Sequence, residues 1–371
     1  AAFCEIFGAV LAGGGVVATI KSDIVNPALV GGTAEMVTIM MSALLAAALW
    51  INLATWINAP VSTTHSIVGA IMGAGTVIAG MQAVNWSSMA QIIASWLISP
   101  LLGAGVAMLF LWLILDRIVY QIDKLAAARK WVPVLLAVMT GSFLTYVLLI
   151  ATRRAPDFHL WQAMLIGMFL GGASHRWFRE LVARQSAELE SRNASLKTLV
   201  FSAALLSFAH GANDVANAIG PLAAIVEANG IQSIARNLDA PFWVMMIGAL
   251  GISVGLLLFG PRLIRVVGSQ ITRLNPMRAY CVAMAAAITV IIASALGMPV
   301  SSTHVAVGAV FGIGFFREWY VVHSRRRHAY IEQKTRPDAG DADKGDADNS
   351  DADRGEPFET RYRYLVRRSY L

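Results

Sequence analysis

Apolar positions in this chain come in long unbroken runs. Six stand out: Ala1–Ile20, Val37–Trp56, Met89–Leu115, Val132–Ala151, Phe242–Phe259 and Ala279–Leu296. Each is close to the roughly 20 residues that an α-helix needs to cross a bilayer. A membrane β-barrel shows short segments in which apolar and polar positions alternate, and these runs do not alternate. The pattern predicts an all-α polytopic membrane protein. Shorter apolar pieces lie at Ser66–Ala79, Leu160–Gly172, Leu199–Ala209 and Val305–Phe316.

Inside this apolar background one polar hexapeptide occurs twice. Pro60-Val61-Ser62-Thr63-Thr64-His65 and Pro299-Val300-Ser301-Ser302-Thr303-His304 lie 239 positions apart, and ten of the sixteen positions counted from each proline are identical. Proline ends one apolar piece, and Ser and Thr cap the start of the next. Ile51–Asn58 and Ser66–Ala79 are therefore expected as two half-helices that meet at the first hexapeptide. Ala286–Leu296 and Val305–Phe316 are expected to meet likewise at the second. Broken backbone at membrane depth is tolerated only where it is buried in protein or lines a wet cavity. The start of each following helix offers free N–H groups, a positive dipole end and hydroxyl donors, which together suit an anion. Ser62, Thr63, Thr64, Ser301, Ser302 and Thr303 are the candidate ligands. One copy alone would read as readily as a capped surface loop. Two copies in matching contexts favour an inverted-repeat architecture with two re-entrant hairpins and a site between matching halves.

A second polar stretch, Gly211–Ala218, also lies in apolar sequence. Asn213 and Asn217 are four apart and share a helix face, with Asp214 beside them. A carboxylate with two amide oxygens suits a small hard cation or a proton relay, and an ionisable residue at membrane depth is a functional candidate by default. The alternative is a polar clasp between helices. Glu5 is a second carboxylate in an apolar span. His65, His304 and His210 each sit next to a proposed site, as proton carriers or as structural hydrogen-bonders.

Composition narrows the function classes. The chain is 57% hydrophobic and 14% charged, against about 25% charged in soluble domains. Its net charge of +6 comes from basic residues beside the spans, the pattern of cytoplasmic loops, and not from a nucleic-acid-binding face. Cys4 and Cys281 lie in apolar spans and make no disulfide framework. No metalloprotease, phosphate-loop, cysteine-cluster or nucleophile-elbow motif occurs, so catalysis has no anchor. His175–Lys197 reads as a solvated helical connector. Arg325-Arg326-Arg327 reads as the flank of a last span, and Asp338–Asp353 as a disordered acidic segment. The chain opens inside an apolar run with no initiator Met, and is expected to be a fragment of a longer membrane protein.

At these residues the chain resembles the PiT family of inorganic phosphate transporters. The resemblance rests on His210-Gly211-Ala212-Asn213-Asp214-Val215-Ala216-Asn217-Ala218-Ile219-Gly220-Pro221 and on the Pro-Val-Ser-[Ser/Thr]-Thr-His hairpin in each half. It covers about Ala1 to Phe316, plus Leu365–Leu371. It implies an inverted-repeat transporter that carries phosphate with Na+ or H+, the latter often with a metal–phosphate complex. Asn213, Asp214 and Asn217 match the family's cation and phosphate motif, the hairpin Ser and Thr residues match its binding loops, and Glu5 matches a family carboxylate. There are departures. The family carries the Gly-Ala-Asn-Asp motif twice, and the first copy is absent here. A carboxylate expected shortly before the second hairpin is Ala283.

The resulting expectation is a secondary active importer of inorganic phosphate and not an enzyme. A sulfate permease of the same fold is the alternative; a channel or an intramembrane enzyme stands further off. Phosphate is held by Ser62, Thr63, Thr64, Ser301, Ser302, Thr303, Asn213 and Asn217, and the cation by Asp214, Asn213 and Glu5. No cofactor is expected beyond co-transported Na+ or H+, and no metal beyond the transported cation. The partners are phosphate, the cation and the lipid bilayer, with no nucleic acid and with homodimerisation left open. The expected location is the bacterial inner membrane. Residues 1–131 form the first membrane repeat, lacking its first motif-bearing helix. Residues 132–198 hold central spans and the connector, 199–320 the second repeat, and 321–371 a disordered cytoplasmic loop.

Overall fold

The computed structural model describes residues 1–57, 59, 61–152, 159–185, 193–230, 240–270 and 276–335. These form helices α1 (Ala2–Ala12), α2 (Gly14–Ser22), α3 (Thr33–Trp56), α4 (Thr63–Ala79), α5 (Trp86–Ile114), α6 (Lys124–Ala151), α7 (Leu160–Gln185), α8 (Asn193–Asp214), α9 (Ala216–Ala228), α10 (Phe242–Gln270), α11 (Pro276–Ala295), α12 (Ser302–His323) and α13 (Arg325–Thr335). Among the described residues the extended pairing is one isolated bridge between Val25 and Val84.

Among the described residues six segments are long and apolar enough to cross a membrane: Thr33–Trp56, Trp86–Val119, Lys124–Ile150, Phe242–Gly260, Met277–Ala295 and Ser302–His323. Five of the runs read from the sequence fall on these segments. Large apolar side chains point outward along them, including Leu45, Leu49 and Leu53 of α3, Leu97 and Leu101 of α5, and Leu257 and Leu258 of α10. Exposed apolar area on that scale fits a hydrocarbon surround.

Three expectations change. Ala1–Ile20 is a helix pair bent by 64° rather than one straight span. Three consecutive glycines, Gly13 to Gly15, lower helix propensity at the bend. A Cβ on Gly13 would also lie 2.7 Å from the Val215 side chain. Second, the pieces leading into the hexapeptides are not half-helices. Of the first piece, residues 51–56 end the 24-residue α3, and of the second, residues 286–295 end the 20-residue α11. Neither piece holds a glycine or a proline, so the preceding helix runs on into both. Third, residues 321–323 and 325–335, expected as part of a loop, are helical. Arg326 donates to the Asp116 carboxylate (2.5 Å), and the Tyr120 ring stacks on Tyr320 with centroids 5.9 Å apart and meets Tyr330 at 5.7 Å. These contacts tie α13 to the turn after α5. The acidic segment Asp338–Asp353 lies outside the described residues.

Two apolar clusters form the interior. One joins Leu111 of α5, Tyr146 of α6, Ala209 of α8, Met284 and Val290 of α11 and Val305 of α12. The other joins Ile20 of α2, Met40 of α3, Ile71 of α4, Ile219 of α9 and Val244 of α10. Two broken helices link them. The α1–α2 pair bends at Gly13, and the α8–α9 pair breaks at Val215. The pairs lie side by side, α1 on α8 and α2 on α9. Pro221 contributes to the second break, because it has no N–H to offer the Asn217 carbonyl.

Candidate functional site

Each hexapeptide starts a helix in the same way. Ser62 is extended and its Oγ accepts from the His65 N–H at 3.2 Å, starting α4. Ser301 caps α12 identically, accepting from the His304 N–H at 3.2 Å. Both serines are buried. A cap of this kind stabilises by about 1 kcal/mol, so these two oxygens, read as anion ligands, are already engaged in shaping the tips.

The two tips meet. Thr64 Oγ1 donates to the Val300 carbonyl at 3.1 Å, and the His65 and His304 rings stand 4.7 Å apart. Trp96 of α5 donates its indole N–H to the Pro299 carbonyl at 2.9 Å, and Thr19 of α2 donates to the Gly297 carbonyl at 2.7 Å. These bonds occupy carbonyls that the extended hexapeptide and the turn before it would otherwise leave open.

The α8–α9 break points at the meeting place. Asn213 Nδ2 donates to the Val300 carbonyl at 2.7 Å and to Asp214 Oδ1 at 2.9 Å. Asp214 Oδ2 accepts from Thr63 Oγ1 at 3.1 Å and from Ser302 Oγ at 3.3 Å. One carboxylate thus gathers one hydroxyl from each copy of the repeated motif. Asn217 Nδ2 donates to Thr63 Oγ1 at 3.1 Å and to Thr64 Oγ1 at 3.3 Å. His210 Nε2 lies 3.1 Å from Asp214 Oδ2, and His210 Nδ1 lies 3.3 Å from Glu5 Oε1 without hydrogen-bonding alignment. Two buried oxygens, Asn217 Oδ1 and Glu5 Oε2, have no hydrogen-bond partner among the described residues. Hard oxygen donors left open in a buried setting suit a small cation.

Glu5 reaches this place because α1 and α8 approach at glycines. A Cβ on Gly211 would collide with the Glu5 backbone, and one on Gly8 with the backbone of Phe208. Gly211→Val is therefore expected to push α1 away from α8 at a cost of about 1–3 kcal/mol. Thermal unfolding of the purified full-length protein in detergent checks this. An unchanged midpoint counts against the close approach.

Of the predicted residues, Thr63, Thr64, Ser302, Asn213, Asp214, Asn217, His210 and Glu5 are joined in one network. Ser62 and Ser301 serve as caps, and the His65–His304 pair stands beside them. The Thr303 side chain makes no hydrogen bond to a described residue. Trp96 and Ser294, which lies 3.4 Å from Asn213 Oδ1, were not foreseen. Both sit inside apolar runs, where nothing marks them as different from neighbours that face lipid.

Fold and site together define a polytopic helical membrane protein whose polar centre is shared by two copies of one motif. Comparison with known proteins gives the family. The model of the phosphate transporter family matches residues 1–336. A Helicobacter pylori protein named "Putative phosphate permease" is 49% identical over 339 residues, which cover 89% of this chain and 64% of that protein. A Pyrococcus abyssi protein described in the same words is 34% identical over 319 residues, covering 85% of this chain and 79% of that one. A solved structure described as "The sodium-dependent phosphate transporter" superposes with a TM-score of 0.77 at 31% identity, covering 89% of this chain and 82% of that one. The chain belongs to the phosphate transporter family. It spans about 64% of the length of the Helicobacter relatives it matches.

Proposed function

We propose that the full-length protein is a secondary active transporter that imports inorganic phosphate together with a cation. The convergence of Thr63 and Ser302 on Asp214 carries this reading. In it, α4 and α12 begin as matching tips of two re-entrant hairpins, 1–131 and 199–320 are inverted halves, 132–198 joins them, and 321–371 is cytoplasmic. Asp214, Asn213 and Glu5 hold the cation, with the unpartnered Asn217 Oδ1 added to the set. The tips hold the anion. An anion placed near Asp214 meets a like charge in a poorly screened site, so phosphate binding depends on the cation. The structural neighbour is described as sodium-dependent, which favours Na+ over H+ or a metal–phosphate complex. No nucleophile or metal-ligand set among the described residues converges on the tips to favour an enzyme. The bacterial relatives favour the inner membrane, and a homodimer is compatible with the lipid-facing helices.

Uptake of ³²P-phosphate into proteoliposomes holding the full-length protein, with Na+ and pH varied independently, tests the proposal. Uptake driven by a Na+ gradient at constant pH is the expected result. Uptake indifferent to both gradients would point to a channel. Sulfate is the second reading, because the same hydroxyls fit either tetrahedral oxyanion. Sulfate that removes phosphate uptake at equal concentration would favour it.

A further inference from the structure

Trp96 of α5 stands outside the polar network, yet it touches both tips. Its indole N–H donates to the Pro299 carbonyl at 2.9 Å, and its ring stacks on His65 with centroids 3.6 Å apart. The two partners belong to different groups of helices. α4, which carries His65, packs on α3 and α9, whereas α12, which follows Pro299, packs on α5 and α11. The indole itself packs against the apolar cluster that contains α4, while α5 from Ala107 onward belongs to the cluster that contains α12. Trp96 therefore sits where the two clusters join.

Its place is set by backbone. Pro100, four residues on, has no N–H to offer the Trp96 carbonyl, so α5 is loosened at this turn. From here α5 and α12 meet with little side chain between them. A Cβ on Gly308 would collide with the Pro100 backbone, one on Gly312 would lie 2.7 Å from Ala104 Cα, and one on Gly103 would lie 2.8 Å from the Val305 carbonyl oxygen. Trp96, Pro100 and Gly103 share one face of the helix. The face of α5 that grips α12 thus carries the indole over the extended residues ahead of α12. Helices in backbone contact cannot slide past one another without overlap. The indole is held over the second tip and turns its ring toward the first.

The extended residues Pro299 and Val300 are pinned by three donors: the Val300 carbonyl accepts from Asn213 Nδ2 and Thr64 Oγ1, and the Pro299 carbonyl from the indole. Asn213 and Thr64 are members of the polar network. Trp96 is not, and it makes no hydrogen bond to Asp214, Asn213 or Glu5.

We propose that Trp96 is a positioning residue for transport, which holds the two tips at the spacing where Thr63 and Ser302 both reach Asp214. The inference rests on the transport reading and adds to it a residue that acts only through its neighbours. Without the indole, phosphate has to order the tips as it binds, and that cost lowers its affinity. The cation set of Asp214, Asn213 and Glu5 lies on α1 and α8, which Trp96 does not hold, so cation affinity is untouched.

The test is calorimetric titration of inorganic phosphate into the purified full-length protein with sodium present, alongside ²²Na+ binding without phosphate. Trp96→Phe keeps a ring to stack on His65 and removes the N–H. It is expected to weaken phosphate binding about 5-fold with Na+ affinity unchanged. Trp96→Ala removes both contacts, and about 30-fold is expected. The control is Trp112→Phe, the same chemical change at an exposed position of α5, which keeps both affinities at the wild-type value. In proteoliposomes the Trp96→Phe loss is expected in KM and not in kcat. If Trp96→Ala fails to insert, Trp96→Phe decides alone. Wild-type phosphate affinity in Trp96→Phe, or phosphate and Na+ affinities that fall together, overturns the positioning role and makes Trp96 a packing residue. A wild type that neither binds nor takes up phosphate overturns the transport reading, and this role with it.

Discussion

Asp214→Asn is expected to abolish cation-coupled phosphate uptake by the full-length protein while the variant still inserts into the membrane. The substitution keeps size and shape. It removes the charge and replaces one acceptor oxygen by an NH2 donor, in a place where Thr63, Ser302, Asn213 and His210 all direct polar groups at the carboxylate. Hydrogen bonds to a charged group contribute about 1.5–3 kcal/mol each. Losing the charge together with two tip contacts sets an expected fall in uptake of about 100-fold or more. The hydroxyls of Thr63 and Ser302 can rotate to other acceptors, so stability falls much less than activity. Initial ³²P uptake normalised to membrane-inserted protein gives the answer. Wild-type uptake in this variant would reduce Asp214 to a clasp between helices.

His210→Ala is expected to have the second largest effect, and to act on stability as well as transport. The ring stands between two carboxylates, 3.1 Å from Asp214 and 3.3 Å from Glu5. Without it the two acids lose the group that separates them in a poorly screened interior. Removing one partner of a fully buried pair costs about 3–5 kcal/mol; the His210 side chain is 36% exposed, so about 2 kcal/mol is the expected loss. Uptake should fall along with thermal stability. The companion variant His210→Ala/Glu5→Gln removes the uncompensated charge and is expected to recover much of the stability without recovering uptake. Thermal midpoints of the two variants in one detergent decide this, and equal midpoints would mean that Glu5 does not feel His210.

Much of the architecture was legible in the residues because it follows from solvent. A bilayer demands long uncharged stretches whose backbone is satisfied internally, so the runs beginning near Val37, Met89, Val132, Phe242 and Ala279 announce their helices. The repeated hexapeptide was legible for the same reason: a proline, three hydroxyls and a histidine stand out in hydrocarbon-like sequence. So did Asp214, Asn213 and Asn217. Local capping at Ser62 and Ser301 followed from residue type, since serine at such a position bonds the N–H three residues on.

What the residues could not show was direction. Composition cannot say which way a hydroxyl points, so the six Ser and Thr residues of the hexapeptides looked alike. In the fold they part into caps, carboxylate donors, a link between the tips in Thr64 and, in Thr303, a side chain outside the network. Ala1–Ile20 looked like a straight span, because only the packing of Gly13 against Val215 and of Gly211 against Glu5 decides that the helix bends and brings its acid to His210. Trp96 and Ser294 were invisible in apolar runs, where a residue turned inward toward a polar tip has the same neighbours in sequence as one turned toward lipid. The two faces of the tips are likewise a tertiary fact. The helical repeat fixes the angle between Thr63 and His65, but only the docking of α9 on one side and the stacking of His65 on Trp96 on the other gives the two directions different chemistry.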